Sequence, residues 1–365
     1  MITTHILQLC TIMLYGLAGL CVFLILLNRF LIHIPDSRAK ICATILAFLT
    51  ITGGSMICGL LFYRTLWFFC PLAVLCLILM GEARRIFIRN SCAGSMPVGS
   101  KPHDTDLANP LTTTDVTIHR YEVRLPHWNG ERLRIVHLTD LHVRSGLNAE
   151  YYNQVFELAE QTQPDLAVFT GDFVSRLDAL PELREVLRPI GRVETFAVLG
   201  NHDYWVDAES VGRALKDSGL RLLSNESAIV TIKGREVVVT GYDYPWGKTE
   251  ASNIPSSNGA IHLALSHTPD NIYRLSDSRM DIVFSGHYHA GQIRLPFLGS
   301  IVIPSVYGRR FDHGHFVVNG THLFVPSGIG ASNPPLRIYC RPDIFVVDIL
   351  GETETNRYES GSSSI

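Results

Sequence analysis

Five short apolar runs in this chain end in residues that can bind cations or move protons. Residues 133–139 lead into Asp140 and His142, 165–170 into Gly171 and Asp172, and 195–199 into Gly200, Asn201, His202 and Asp203. Residues 261–266 lead into His267, and 281–285 into Gly286, His287 and His289. Singly, each has an ordinary explanation, since Gly-Asp after a strand is a common turn and Asn-His-Asp can cap a helix. Together they are costly to gather in one domain without a ligand. Carboxylates mixed with imidazoles suit Mn, Fe or Zn better than the all-oxygen sites usual for Mg or Ca, and the absence of Cys argues against a closed structural zinc site. Asp140, His142, Asp172, Asn201, His267, His287 and His289 exceed the needs of one tetrahedral ion. Two divalent ions are therefore expected, with one aspartate between them. Such a pair acidifies water, clamps phosphoryl oxygens and offsets transition-state charge, so in-line hydrolysis at phosphorus needs no covalent intermediate. No Ser with an adjacent base signals the alternative chemistry.

These residues need a scaffold that ends several strands in one place. From about 116 to 350, β-rich runs alternate with helical patterns: 133–139 then 149–161, 165–170 then a helix near 181–188, and 195–199 then 207–218. That alternation predicts βα units and a largely parallel sheet, whose ligands lie beyond the carboxyl ends of the strands. Later runs near 237–241, 261–266, 281–285 and 315–325 have shorter connections and are expected to pair antiparallel. The simplest architecture accepting both is α/β, a two-layer β-sandwich flanked by helices.

The amino-terminal quarter is a different material. Residues 6–27 and 41–63 are apolar runs of about 20 residues, enough to cross ~30 Å of hydrocarbon as helices. A third, 66–81, is shorter and contains Pro71. The reading is a transmembrane region over 1–90 with two to three helices, a Ser, Gly, Pro, Asp and Thr-rich linker over 91–115, the domain over 116–350, and a polar, disordered tail over 351–365. Arg29, Arg38 and Lys40 follow the first run, and Arg84, Arg85 and Arg89 the third. Three spans put both clusters on one face, which the positive-inside rule makes cytoplasmic. Seven of the eight cysteines lie in or beside the apolar runs, leaving Cys340 alone in the domain, so no disulfide framework is available there. A net charge of −3 gives no support for nonspecific nucleic-acid binding.

The ordered set Asp140-x-His142, Gly171-Asp172, Gly200-Asn201-His202-Asp203, His267 and Gly286-His287-x-His289 resembles the calcineurin-like metallophosphoesterase superfamily. The strings HLTDLH, FTGDFV, LGNHDYW, LSHTPD and SGHYHAGQIRLP are similar to its membrane-anchored bacterial branch, some members of which are UDP-2,3-diacylglucosamine pyrophosphatases of lipid A synthesis. The resemblance implies that Asp140, His142 and His289 hold one ion, that Asn201, His267 and His287 hold the other, and that Asp172 bridges. His202 would act on the substrate as general acid or clamp, with Asp203 orienting its imidazole. It further implies Mn2+, with Fe or Zn as alternatives, and a lipid-linked phosphate substrate at the cytoplasmic face of the inner membrane. The second motif departs from the family pattern: it runs on to Phe173, Val174 and Ser175 where another acidic residue is common.

Arg309 and Arg310 are candidates for gripping a phosphate oxygen, since guanidinium matches it in fork geometry. His313 and His315 resemble a ligand pair but follow no clear strand, and Asp243 reads as turn chemistry. Three functions compete: a hydrolase of a lipid-linked substrate, a general phosphodiesterase, and a non-catalytic metal-binding scaffold. Filled ligand positions and the presence of His202 disfavour the last.

Overall fold

The structure, a computed structural model, describes residues 2–34, 37–63, 67, 69–98, 107–143, 146–247, 259–296 and 298–351. The expected tail beyond Gly351 and the middle of the expected linker lie outside the described residues. The chain divides into two compact units: a helical one made of Met1–Ser91 with Ile301–Arg310, and a sheet one made of Cys92–Ser300 with Phe311–Ile365.

The helical unit contains α1 (Ile2–Arg29), α2 (Arg38–Phe48), α3 (Gly54–Phe62) and α4 (Phe69–Ser91). Ser37 starts α2 by accepting the Lys40 N–H at 3.1 Å, and a π-helical turn, Leu49–Gly53, runs α2 into α3. Two stretches, Thr4–His33 and Arg38–Phe62, are long and apolar enough to cross a membrane. The third apolar run forms only the first half of α4, whose second half carries Glu82, Arg84, Arg85 and Arg89. Helices α1 and α3 approach closely through small residues. A Cβ on Gly59 would stand 2.8 Å from Ile12 Cα, and one on Gly19 2.6 Å from Ser55 Oγ. In lipid, which offers no hydrophobic drive between helices, such small-residue contacts would supply the packing.

Residues 301–310, read from the sequence as part of the 116–350 domain, belong to this helical unit. Polar ends of α1 and α4 hold them. Asn28 donates to Ile301 O at 3.1 Å and accepts from Ile303 N at 2.6 Å, and Arg29 donates to Val306 O. Arg309 pairs with Glu82 at 2.5 Å.

The sheet unit is a sandwich of two six-stranded sheets. The first has the order β1 (Thr117–Arg124), β14 (Asp343–Leu350), β2 (Leu133–Leu138), β3 (Leu166–Thr170), β4 (Thr195–Val198) and β5 (Arg221–Leu222). The second runs β12 (Gly314–Val318), β13 (Thr321–Val325), β9 (Ile282–Phe284), β8 (Ile261–Ser266), β7 (Arg235–Tyr242) and β6 (Ser227–Ile232). A small ribbon, β10 (Arg294–Leu295) with β11 (Gly299–Ser300), stands apart. Helices α5 (Ala149–Gln161), α6 (Leu180–Val186) and α7 (Asn201–Asp217) connect strands of the first sheet, and α8 (Ile272–Asp277) connects β8 to β9.

Two cores result. Ile135, Val168, Phe196, Leu263, Phe284 and Val347 fill the space between the sheets, while Val136, Phe169, Phe156, Leu183 and Leu215 pack α5, α6 and α7 on the outer face of the first. Strands buried on both faces read as nearly continuous apolar runs, as β3 and β4 do, while β2, also buried throughout, includes Arg134 and His137.

The later strands depart from expectation. In the second sheet β7, β8, β9 and β13 are mutually parallel, and the antiparallel pairs among its described strands are the hairpins β6–β7 and β12–β13. The connections before β8 and β9, the latter through α8, are long enough for crossovers. The ends of the expected linker are also pinned rather than free. Val317 N donates to Cys92 O at 2.7 Å, Gly94 N to His315 O at 3.0 Å, and Thr112 N to Arg337 O at 3.1 Å. Residues 92–94 thereby cover β12, which would otherwise be an open sheet edge.

Candidate metal centre

The parallel strands of both sheets end on one side, and the ligand candidates gather there in two groups. Asp140, His142, Asp172 and His289 form one, and Asp172, His267 and His287 the other, with the donor atoms of each group within 4.8 Å of one another. Asp172 is the member in common. Its Oδ2 lies 3.5 Å from His142 Nε2 and 3.3 Å from His267 Nε2. In the first group His289 Nε2 is 3.0 Å from His142 Nε2 and 3.3 Å from Asp140 Oδ1. Asn201 joins the second through Oδ1, 3.1 Å from His267 Nε2. All seven candidates from the sequence are thus brought together.

The loops holding them are strained and tightly fixed. Asp140, His142, Asp172, His287 and His289 all have positive φ, between 44° and 70°. A non-glycine residue there costs about 1–2 kcal/mol, so the surrounding structure must over-determine the conformation. Two glycines admit the ligands. A Cβ on Gly200 would lie 2.2 Å from Asp172 Oδ1, and one on Gly286 2.0 Å from Thr139 Oγ1 and 2.4 Å from Asp140 Oδ2.

Hydrogen bonds orient the imidazoles. His267 Nδ1 is 2.5 Å from Thr170 O, so it must carry a proton, which makes Nε2 the nitrogen turned to Asp172. His142 Nδ1 is 2.7 Å from Ser175 Oγ. Ser175 therefore supplies, as a hydroxyl, the contact that the sequence lacks as a carboxylate.

Asp203 has a different role from the one the resemblance implied. Its carboxylate accepts the N–H groups of Asp172 (2.8 Å), Phe173 (2.9 Å), Val174 (3.2 Å) and Gly200 (2.9 Å). These backbone donors use both oxygens, so Asp203 clamps two ligand loops and does not orient His202. The His202 ring meets His142 edge-on, centroids 4.8 Å apart, and lies 4.9 Å from the Trp205 ring, while the backbone N–H of His202 donates to Asp172 Oδ1 at 2.9 Å. Trp246 flanks the second group, 5.5 Å from His267 and 5.2 Å from His287.

The electrostatics favour a cation. Burial raises the Asp140 carboxyl to about 7. Burial also pushes Asp172 up, but the charges of His267 and His202 outweigh it and leave the carboxyl well below its usual range. His267 responds in kind: burial lowers it, Asp172 more than compensates, and the result is about 9. Burial, then neighbouring charge, keeps His142 neutral down to about 3 and depresses His289, as a metal ligand requires.

Arg337, which sequence reasoning missed, is fully buried beside this cluster. It donates to Ser327 O at 2.7 Å, Gly328 O at 2.9 Å and Gly330 O, and its Nη2 is 3.4 Å from His289 Nδ1. An isolated Arg in a Pro-rich loop carries no periodic signal. Arg309 and Arg310 lie in the helical unit, the first paired with Glu82 and the second over the Tyr307 ring at 5.5 Å. Asp243 is buried and hydrogen-bonded to Ser224 and Asn225.

Residues 133–291, a span containing every ligand candidate, match the family model for calcineurin-like phosphoesterases. The chain carries a calcineurin-like metallophosphoesterase domain. Curated relatives agree. The uncharacterized metallophosphoesterase YkuE of Bacillus subtilis is 28% identical over 253 residues, covering 65% of this chain and 84% of its own. The phosphodiesterase YaeI of Escherichia coli is 28% identical over 229 residues, covering 61% and 84%. A transmembrane protein with metallophosphoesterase domain from Danio rerio is 29% identical over 260 residues, covering 65% and 57%. The matched domain and the phosphodiesterase relative make the chain a metal-dependent hydrolase, with clustered His and Asp groups that could hold divalent metals.

Proposed function

We propose that this metallophosphoesterase hydrolyses a lipid-linked phosphodiester or pyrophosphate at the cytoplasmic face of the inner membrane. The preferred substrate is UDP-2,3-diacylglucosamine, giving UMP and 2,3-diacylglucosamine 1-phosphate. The observation that carries the chemistry is the sharing of Asp172 by the two ligand groups. Asp140, His142 and His289 would hold one divalent ion and Asn201, His267 and His287 the other, Mn2+ being preferred over Fe or Zn. When bound, such ions supply Lewis acidity to the phosphoryl oxygens and acidify water at the site. His202, whose ring contacts those of His142 and Trp205, donates a proton to the departing oxygen or a hydrogen bond to the phosphoryl group. Asp203 keeps the Asp172 loop from relaxing.

Two membrane-length helices support a lipid substrate, because an anchor confines the enzyme to the surface where a water-insoluble ester resides. The orientation rests on the basic clusters beside α1 and in α4, which share a face if α4 also traverses. Release of UMP from UDP-2,3-diacylglucosamine by purified protein tests the substrate. Turnover of simple diesters without UMP release would leave a general phosphodiesterase, the activity named for the Escherichia coli relative. A reporter fused near Ser100 tests the topology, and an external signal would remove the lipid A reading.

A further inference from the structure

A second polar cluster lies in the sheet unit, apart from the seven ligands. His119 on β1, His313 just before β12 and Asp343 at the start of β14 are all buried, with candidate donor atoms within 4.8 Å of one another. Asp343 Oδ2 is 2.6 Å from His313 Nε2 and 3.7 Å from His119 Nε2, while its Oδ1 accepts the Ser327 N–H at 2.7 Å. The surroundings are aromatic: Phe345 lies 5.9 Å from the His119 ring and 5.5 Å from that of His313.

A carboxylate taken out of water into such a place needs a cation beside it. Two imidazoles converging on one carboxylate offer the donor set that a borderline metal takes. A separate observation points the same way. Tyr121, two residues along β1 from His119 and on the same buried face, is 1% exposed, and its hydroxyl has no hydrogen-bond partner among the described residues. Burial, and after it the charge of Asp343, raises the pKa of that hydroxyl. Buried hydroxyls are seldom left unsatisfied, and an ion or its water would complete this one.

We propose that His119, His313 and Asp343 form a third metal site, mononuclear and structural, suited to Zn2+. It ties β1 and β14 of the first sheet to β12 of the second. Donors on a tetrahedral zinc at 2.0–2.1 Å stand roughly 3.3 Å apart, so the His313–Asp343 contact opens by less than ~1 Å and the third donor closes in by side-chain rotation.

The test uses full-length protein in detergent, stripped with chelator, reloaded with Zn2+ and freed of excess ion. His313→Gln and His119→Gln should each hold one zinc fewer per chain than wild type while retaining full phosphodiesterase turnover after Mn2+ loading. Because either variant could fail to fold, a second chain carrying Asp140→Asn and Asp172→Asn disables the other cluster. It should still take up one Co2+ per chain with the absorption of tetrahedral cobalt. Equal zinc in wild type and both histidine variants, or no cobalt uptake by the double aspartate variant, would overturn the site. Neither the zinc count nor the cobalt spectrum depends on the substrate proposed above.

Discussion

Asp203 Oδ2 accepts the backbone N–H of Asp172 at 2.8 Å, so a residue of the Asn-His-Asp motif fixes the carboxylate that both ligand groups share. The same side chain reaches Phe173, Val174 and Gly200. Replacing it with Asn turns one acceptor into a donor aimed at N–H groups. Asp203→Asn should therefore lose metal and activity together, at a cost of about 1–3 kcal/mol in stability. His202→Ala should keep its metal and lose roughly 10²–10⁴ in kcat. Metal analysis alongside kcat for the two variants separates a clamp from a residue that meets the substrate. Normal metal content in Asp203→Asn would refute the clamp.

Ser175 fixes one ligand ring by its 2.7 Å contact with His142 Nδ1. Loss of such a partner typically weakens metal binding about 10–100-fold. Ser175→Ala should show that weakening in a metal titration and recover activity at high metal concentration. Ser175→Asp should match or exceed wild-type affinity.

Gly286 faces Thr139 Oγ1 and Asp140 Oδ2 so closely that no side chain fits. Gly286→Ala must push the Asp140 carboxylate away from His289. The expected outcome is loss of activity beyond rescue by added metal, in contrast to Ser175→Ala. Near-normal kcat in Gly286→Ala would show that the loop can yield.

Acid should weaken the sheet unit through histidines buried in neutral form. Burial lowers His137 to about 3, and burial with His322 does the same to His315. Their folded pKa values lie below the unfolded value near 6.5, so the unfolded chain binds more protons between about pH 6.5 and 3. Stability is therefore lost as pH falls through that window, by up to ~1.4 kcal/mol per pH unit for each group. In metal-stripped protein, His137→Gln keeps a polar partner for Thr170 and removes one titration. Between pH 7 and pH 5 its unfolding free energy should fall by about 2 kcal/mol less than that of wild type. Identical losses would exclude His137 as a contributor.

The ligand positions were readable because each follows an apolar strand, and strand ends converge in a sheet whatever the connections between them. The helix expected from residue 207 begins at Asn201, and Asp207 explains the difference. Its backbone is extended (φ −178°), and its side chain caps a second start through Ser210 N at 3.1 Å, so local pattern showed only the later segment. β14 was not distinguished because its neighbours, β1 and β2, lie far away in sequence and no local spacing reports an inserted strand. Arg309 illustrates the same limit: its type fits a phosphate, yet Glu82, over two hundred positions earlier, takes it. The role of Asp203 is not legible in the sequence, because acceptors of backbone N–H groups leave no mark in residue type or spacing.

The sharing of Asp172 is tested most directly by anomalous diffraction from crystals of Mn2+-loaded protein. Two peaks should flank its carboxylate, one also bound by Asp140, His142 and His289, the other by Asn201, His267 and His287. A single peak there, or two peaks that leave Asp172 uncoordinated, would contradict the account.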